Sequence, residues 1–277
     1  MMLPIRVAMI PVDPSIPSSY GKAGGTDKSI ASAALKPLIA LAAGQLVPMA
    51  AAALLRLVEQ VRLAGGELRV TDAYRSVETQ AKARARYDRW HQAGRPAPGS
   101  VGWDAASMKA DFVALPGRSF HNAGRAIDVH VRALSFPGVD ANKQLDALWQ
   151  IAIPLGWTPI IRTPNEAESE SWHFDFLGDW KPVVERRGYE EAAIGAVLET
   201  GQNDAFPACG SIRRIQSQLH RAGYDVGGID GMMGAKTEGG LYASGYRGLY
   251  SDIPKIISYV DSLISSDFVR WSAGARR

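Results

Sequence analysis

Residues 119–131 have the sequence Ser-Phe-His-Asn-Ala-Gly-Arg-Ala-Ile-Asp-Val-His-Val. Apolar and polar residues alternate from residue 126 onward, which predicts a β-strand with one buried face. Three side chains in this stretch are candidate metal ligands, namely His121, Asp128 and His130. Gly124 allows the backbone to turn between the first two, so a histidine in a loop can approach an aspartate on the strand.

A second strand-like stretch, residues 170–176, adds Glu170 and His173. Asp128 and His130 project from the same face of one strand, so His130 is a rival third ligand on spacing alone. A ligand from a separate strand closes a tetrahedral site better than two neighbours on one strand, which favours His173. Two imidazoles and one carboxylate on a single zinc ion, with a free carboxylate beside them, make a hydrolytic metal site.

The free carboxylate is that of Glu170, and its position requires a departure from regular strand geometry. In an ideal strand Glu170 and His173 face opposite sides, so we expect Glu170 in the preceding loop or at a bulge. Asp175 shares the face of His173, and we expect it to orient that histidine.

The composition is that of a globular protein with a sizeable core, because 46% of the 277 residues are hydrophobic and 21% are charged. A net charge of +3 does not indicate a nucleic-acid binder and is compatible with an anionic cell-wall polymer as partner. The single cysteine, Cys209, excludes an intramolecular disulfide and a thiolate zinc cluster.

The N-terminus makes a poor secretory signal, because Pro11 and Pro14 interrupt its short apolar run. Residues 37–55 form an apolar stretch that is nearly long enough to span a bilayer, but they are rich in alanine and include Pro48. We therefore expect no membrane span. Residues 1–35 are rich in Pro, Ser, Gly and Lys and predict an extended arm.

Helix-like and strand-like patterns mix along the first two thirds of the chain. Helices are predicted at residues 48–63, 77–91 and 142–155, and strands at residues 67–71, 126–131, 158–161 and 170–176. The mixture predicts an α+β domain over residues 1–187, in which a small antiparallel sheet with flanking helices carries the zinc site. Residues 94–117 contain several prolines and glycines, and we expect a long loop over the site. A linker at residues 188–207 and a small, mostly helical domain at residues 208–277 are expected to follow.

The candidate ligands belong to a longer pattern, Ser-x-His-x-x-Gly-x-Ala-x-Asp followed by Glu-x-x-His, formed by Ser119, His121, Gly124, Ala126, Asp128, Glu170 and His173. This pattern resembles the zinc D-alanyl-D-alanine peptidases of bacterial cell-wall metabolism, a group that includes lysostaphin-type endopeptidases and the hedgehog signalling domain. The resemblance covers roughly residues 45–180. It implies that His121, Asp128 and His173 bind zinc and that Glu170 is the general base.

The stretch Tyr74-Arg75-Ser76 is similar to a Tyr-Arg element of the same group. The resemblance implies that Arg75 stabilises the scissile carbonyl as it becomes an oxyanion, and that Tyr74 and Ser119 contact substrate. The alternative for Arg75 is an ordinary ion pair, and for Ser119 a hydroxyl that only stabilises a turn.

Residues 208–245 resemble the small three-helix peptidoglycan-binding domain. The resemblance rests on a helical face over residues 212–219 and on an Asp-Gly turn at residues 228–231, with Gly234 and Thr237 after it. Gly239 and Gly240 depart from it, since they fall where a helix is expected to continue. Residues 246–277 lie outside the resemblance. The alternative is a purely structural appendage.

Together these features predict a monomeric zinc peptidase that cleaves the D-Ala-D-Ala end of peptidoglycan stem peptides. A wall-binding module would raise its local substrate concentration. The alternatives are an L-Ala-D-Glu endopeptidase of a phage-type lysin and a non-catalytic wall-binding protein that holds zinc for structure. The predicted place of action is the cell wall, periplasmic or extracellular, reached by phage-type release or by non-classical export.

Overall fold

The computed structural model describes residues 7–18, 44–97, 99–101, 112–201 and 210–274, with side chains described as far as residue 264. The chain divides into two compact units. The first is Ala8–Gly178, and the second is Asp179–Arg277 together with the N-terminal segment that includes Val7. Cys209, most of the predicted arm, the middle of the predicted loop at residues 94–117 and the end of the predicted linker lie outside the described residues.

The first unit is built around a four-stranded antiparallel sheet, which confirms the predicted fold class. A two-stranded sheet pairs β1 (Ile10–Pro11) with β2 (Gln45–Leu46). The larger sheet has the strand order β3-β4-β6-β5 and consists of β3 (Val70–Asp72), β4 (Ala126–Val129), β5 (Trp157–Pro159) and β6 (His173–Phe176). The two central strands, β4 and β6, carry residues from the two stretches that the sequence marks as chemically important.

Three helices accompany this sheet, close to their predicted positions: α1 (Pro48–Leu63), α2 (Val77–Gln92) and α3 (Gln144–Ala152). Pro48 occupies the first turn of α1, where a missing N–H has no cost. Ser76 caps α2, because its hydroxyl accepts a hydrogen bond from the Thr79 N–H at 3.1 Å. Helix α1 turns an apolar face inward, formed by Ala50, Ala53, Leu54, Leu57, Val58 and Val61.

The second unit is helical in its described part, as predicted. Its helices are α4 (Lys181–Arg187), α5 (Tyr189–Glu199), α6 (Gly210–Arg221), α7 (Ala235–Ser244) and α8 (Ile253–Gly274). Residues beyond the predicted three-helix resemblance complete its core, since Tyr246, Ile256 and Val260 pack with Ile215 and Leu219. None of the helices in the described ranges is long and apolar enough to cross a membrane.

The structure divides the chain after residue 178, whereas the sequence predicts a domain end at residue 187 and a linker at residues 188–207. Most of that linker is helix α5, and its residues from Ala192 to Glu199 are buried. The charge at the end of α5 is paired within the second unit, because Glu199 Oε1 lies 2.7 Å from Arg221 Nη1 on α6. The buried residues of α5 and this contact with α6 place the helix within the second unit.

The two glycines at 239–240, which depart from the wall-binding resemblance in the sequence, lie inside a helix, because α7 continues through both. A Cβ at Gly240 would collide with the side chain of Val226, whereas a Cβ at Gly239 would meet open space. Gly240 therefore permits the close approach of α7 to the segment around Val226.

Candidate metal centre

Three donor atoms meet at one point beside the sheet. His121 Nε2 lies 3.1 Å from Asp128 Oδ1 and 3.2 Å from His173 Nδ1, and the last two atoms are 3.2 Å apart. We call these three residues the ligand triangle. Donor atoms on one face of a zinc tetrahedron are about 3.3 Å apart when the bonds are about 2.0 Å long. The spacing and the chemistry of the donors therefore fit a zinc ion.

The sheet and one turn hold the triangle together. Asp128 on β4 and His173 on β6 are direct partners in the antiparallel register. His121 belongs to the turn that leads into β4, and Gly124 in that turn has a left-handed φ of +61°. The Gly124 carbonyl accepts a hydrogen bond from the Val47 N–H at 2.9 Å, which ties the turn to the start of α1.

Both histidines are oriented by a second hydrogen bond. His121 Nδ1–H donates to the carbonyl of Ala73, so its Nε2 lone pair points into the triangle. His173 Nε2–H donates to Asp175 Oδ1 at 2.9 Å, which leaves Nδ1 for an ion. The structure thus contains a hydrogen bond through which Asp175 can orient His173, and its effect on metal binding stays a prediction.

The electrostatics of the triangle reflect its burial and its mixture of charges. Burial alone would lower the pKa of His173, but the carboxylates of Asp175 and Asp128 raise it well above its usual range. Burial acts to raise the pKa of Asp128, and the two imidazoles outweigh that effect and lower it. Carboxylate and imidazole thus stabilise each other's charge.

The rival ligand His130 does not join the triangle. Strand β4 ends at Val129, and the chain continues as a short 3-10 turn at Val131–Ala133. His130 is exposed, and its backbone N–H donates to the carbonyl of Arg69 at 2.9 Å. The alternation that makes His130 a candidate in the sequence therefore stops one residue too early in the structure.

Glu170 lies in the turn before β6, as the sequence requires. Its backbone has a φ of +67°, which is unusual for a residue with a side chain, and its carbonyl accepts the His173 N–H at 3.0 Å. Burial raises the pKa of Glu170, and the charge of Asp128 adds to this, whereas His173 and Arg75 oppose it. The carboxyl group thus lies in the electrostatic field of the ligand triangle.

Arg75 occupies the loop between β3 and α2. Its Nη2 donates to Asp72 Oδ2 at 2.7 Å and lies 3.5 Å from Asp128 Oδ2, and its Nη1 donates to Gln80 Oε1 at 3.1 Å. Burial acts to lower the pKa of Arg75, and the carboxylates of Asp72 and Asp128 raise it overall. Arg75 therefore forms ion pairs next to the triangle, as the sequence allows in its alternative to a catalytic role.

The loop that carries Arg75 is bonded to the turn that carries His121. The Arg75 N–H donates to the His121 carbonyl at 3.1 Å, and Asn122 Nδ2 donates to the Arg75 carbonyl at 2.7 Å. Ser119 is buried, and its hydroxyl oxygen accepts the His121 N–H at 3.3 Å, so it stabilises this turn. Tyr74 is half-buried next to Arg75.

The sequence interpretation does not identify Asn122, Asp72 or Gln80 as members of this network. Gln80 is almost fully buried and donates to the Ala114 carbonyl at 2.7 Å. The sequence contains a signal for Asp72, since it precedes Arg75 by three residues and has the opposite charge. For Gln80 the signal is weaker, because a polar residue on a charge-rich helix such as α2 is usually exposed.

The fold and the site define an α+β domain with a His/Asp/His centre, buried at both histidines and partly buried at the aspartate, that fits a metal ion. Residues 44–179 match the family model described as VanY, D-alanyl-D-alanine carboxypeptidase. This segment is a domain of that family, and the resemblance seen in the sequence is confirmed for it. The match does not extend to the peptidoglycan-binding resemblance at residues 208–245.

Solved structures similar to the chain include VanYB in complex with D-alanine-D-alanine, with 20% identity, a TM-score of 0.34, and coverage of 48% of this chain and 72% of that one. A mutant VanY D,D-pentapeptidase from a VanB-type vancomycin resistance cassette, in complex with Zn(II), has 21% identity, a TM-score of 0.34, and coverage of 52% and 80%. The LdcB LD-carboxypeptidase has 18% identity, a TM-score of 0.36, and coverage of 72% and 77%. No curated protein shows significant sequence similarity to the chain.

Proposed function

We propose that the protein is a zinc-dependent peptidase that hydrolyses the D-Ala-D-Ala bond at the end of peptidoglycan stem peptides. The observation that carries the proposal is the ligand triangle, whose edges of 3.1–3.2 Å suit one zinc ion, within a domain of the D-alanyl-D-alanine carboxypeptidase family. Zinc bound by His121, Asp128 and His173 supplies a Lewis acid and a water of lowered pKa.

Glu170 is the proposed general base. It lies outside the triangle, so its carboxylate stays free to take a proton from the attacking water and to deliver it to the leaving amine. Burial raises its pKa, which makes it a stronger proton acceptor than an exposed glutamate. The left-handed backbone conformation of Glu170 supports the role, because it breaks the strand alternation and lets Glu170 lie near His173.

Arg75 is the proposed stabiliser of the oxyanion. Its side chain keeps 23% of its surface exposed while its guanidinium lies beside Asp128. A cation held at the edge of the triangle can interact with negative charge that develops on the scissile carbonyl. Tyr74 and Ser119 are proposed to contact substrate, and only the resemblance supports this role. In the structure the Ser119 hydroxyl accepts a hydrogen bond from within its own turn.

The second unit is proposed to bind the wall polymer and to act as a tether. The Asp-Gly turn on which the resemblance to the peptidoglycan-binding domain rests is held by Gln216, a buried residue of α6. Gln216 Nε2 donates to Asp230 Oδ1 at 2.7 Å, and Gln216 Oε1 accepts the Gly231 N–H at 2.9 Å. This bonding supports a folded module at the predicted place. Action at the cell wall as a monomer, periplasmic or extracellular, completes the proposal.

Digestion of defined muropeptides followed by mass spectrometry tests the activity. The proposal predicts release of a single D-alanine from stem pentapeptides, and it predicts that a chelator stops the reaction until zinc is restored. Cleavage between L-Ala and D-Glu would instead identify the endopeptidase alternative. Stoichiometric zinc with no cleavage of any stem peptide would identify the non-catalytic alternative.

A further inference from the structure

Asp72 lies opposite Asp128, a member of the ligand triangle, because the pairing of β3 with β4 shifts by one residue. Val70 pairs with Val129, and in a regular antiparallel ladder Asp72 would then pair with Ile127, whose side chain is in the core. The register instead shifts by one residue, and Asp72 pairs with Asp128. Bulges of this kind redirect a side chain, and they are frequent beside active sites.

The shift brings two carboxylates to directly opposite positions on neighbouring strands. Like charges in such positions repel each other, and here the Arg75 guanidinium lies between them. Arg75 Nε and Nη2 both donate to Asp72 Oδ2, at 3.1 and 2.7 Å, whereas the contact with Asp128 is longer, at 3.5 Å. Asp72 is therefore the stronger partner of the guanidinium.

Asp72 is itself held in place. Its Oδ1 accepts the Ala73 N–H at 2.9 Å, and the carbonyl of Ala73 accepts the hydrogen bond from His121 Nδ1. The end of β3 thus orients Arg75 through a side chain and His121 through the backbone. A carboxylate with both oxygens committed in this way can fix a guanidinium more firmly than a freely rotating one.

We propose that Asp72 is a positioning residue that immobilises the guanidinium of Arg75 at the edge of the metal centre and so supports turnover through Arg75. The effect on turnover rests on the proposed function, whereas the immobilisation of Arg75 does not. A purely structural ion pair is the competing explanation. Since the side chains of Arg75 and Asp72 are 23% and 30% exposed, such a pair would contribute little to stability.

The test uses the zinc-loaded full chain and the variants Asp72→Asn, Arg75→Ala and the double variant. Asp72→Asn removes the charge and keeps the shape and an oxygen for the Ala73 N–H. We expect kcat to fall by about 10- to 100-fold, with KM, zinc content and melting temperature nearly unchanged. In the Arg75→Ala background the same change should alter kcat by less than about twofold, because the effects of substituting residues that act as a unit do not add.

Asp88→Asn, which removes the carboxylate from the Arg84–Asp88 ion pair on α2, is the matched control and should leave kcat unchanged.

A second measurement is independent of activity. In protein labelled with ¹⁵N-arginine, we expect restricted rotation and slow exchange of the Arg75 guanidinium protons in the wild type, and averaging in Asp72→Asn. Equal mobility of Arg75 in both proteins would overturn the proposal, as would an additive loss of kcat in the Arg75→Ala background. If the wild type cleaves no D-Ala-D-Ala and Arg75 is nonetheless released by Asp72→Asn, the proposed function fails and the positioning role of Asp72 stands.

Discussion

Asp128 and His173 are direct partners in the pairing of β4 with β6, and Asp128 Oδ1 lies 3.2 Å from His173 Nδ1. Opposite residues in an antiparallel sheet are held at a short, fixed distance by the backbone ladder. Two of the three candidate ligands therefore need no loop to bring them together. Only His121 depends on a turn, and that turn is bonded to α1 and to the loop of Arg75.

Replacing either the favoured third ligand, His173, or its rival, His130, with alanine tests this arrangement. We expect His173→Ala to lose stoichiometric zinc, because two donors remain where a catalytic zinc site uses three. His130→Ala should keep zinc and activity, since His130 is exposed and lies after the end of β4. Zinc analysis after gel filtration compares the two variants. Loss of zinc from His130→Ala alone would contradict the structure.

Asp175→Asn probes the hydrogen bond that orients His173. The amide cannot support the imidazole as a charged carboxylate does, so we expect zinc affinity to fall by about 10- to 100-fold. Competition with a chromophoric chelator measures the affinity. Asp146→Asn, an equivalent change on α3 away from the triangle, is the control. Equal affinities in both variants would show that Asp175 has no such role.

Glu170 predicts a particular pH dependence. A general base must be ionised, so activity should be lost as the pH falls through the pKa of Glu170. Burial raises that pKa. The apparent pKa of the acidic limb of the kcat/KM profile should therefore lie above the pKa of about 4.3 of an ordinary glutamate. Glu170→Gln should keep its zinc and lose turnover by about 100-fold or more.

Two controls belong to the Glu170 experiment. Zinc content is measured at each pH, so that loss of metal is not mistaken for titration of the base. Glu168→Gln, which changes a neighbouring exposed glutamate, should leave the profile in place. A Glu170→Gln variant with wild-type turnover would exclude Glu170 as the base.

The glycines of α7 provide a test of the second unit. Gly240→Ala should lower its free energy of unfolding by about 1–3 kcal/mol, because the new methyl group collides with Val226. Gly239→Ala adds the same methyl group in open space, and it should raise the free energy of unfolding by about 0.5–1 kcal/mol. Hydrogen exchange of the α7 amides reports both changes. Equal effects of the two substitutions would contradict the packing of α7.

Part of the candidate site could be predicted from local relationships, whereas the choice of His173 as third ligand depends on the preference for a ligand from a separate strand and on the family resemblance. His121 and Asp128 lie in one stretch with a glycine between them, and the face that His173 shares with Asp175 follows from strand periodicity. Even the unusual turn at Glu170 follows from its spacing to His173. Each of these inferences uses only the geometry of a few consecutive residues.

The remaining features depend on contacts between distant segments. Asp72 becomes a neighbour of Asp128 only through a bulge in strand pairing, and the sequence of β3 does not reveal that shift. His130 fits the alternation, yet the chain leaves the sheet before it. Gly240 is only a departure from the wall-binding resemblance in the sequence, and its close approach to Val226 is visible in the structure alone.

Zinc-dependent hydrolysis at the ligand triangle is tested most directly by the zinc content of the purified chain, measured together with D-alanine release from a stem pentapeptide. We expect one zinc ion per chain, with activity that is lost on chelation and restored by zinc. We also expect His121→Ala, Asp128→Ala and His173→Ala each to lose the zinc ion and the activity. A chain that binds no zinc, or that releases D-alanine undiminished in the presence of chelator, is not a zinc-dependent peptidase.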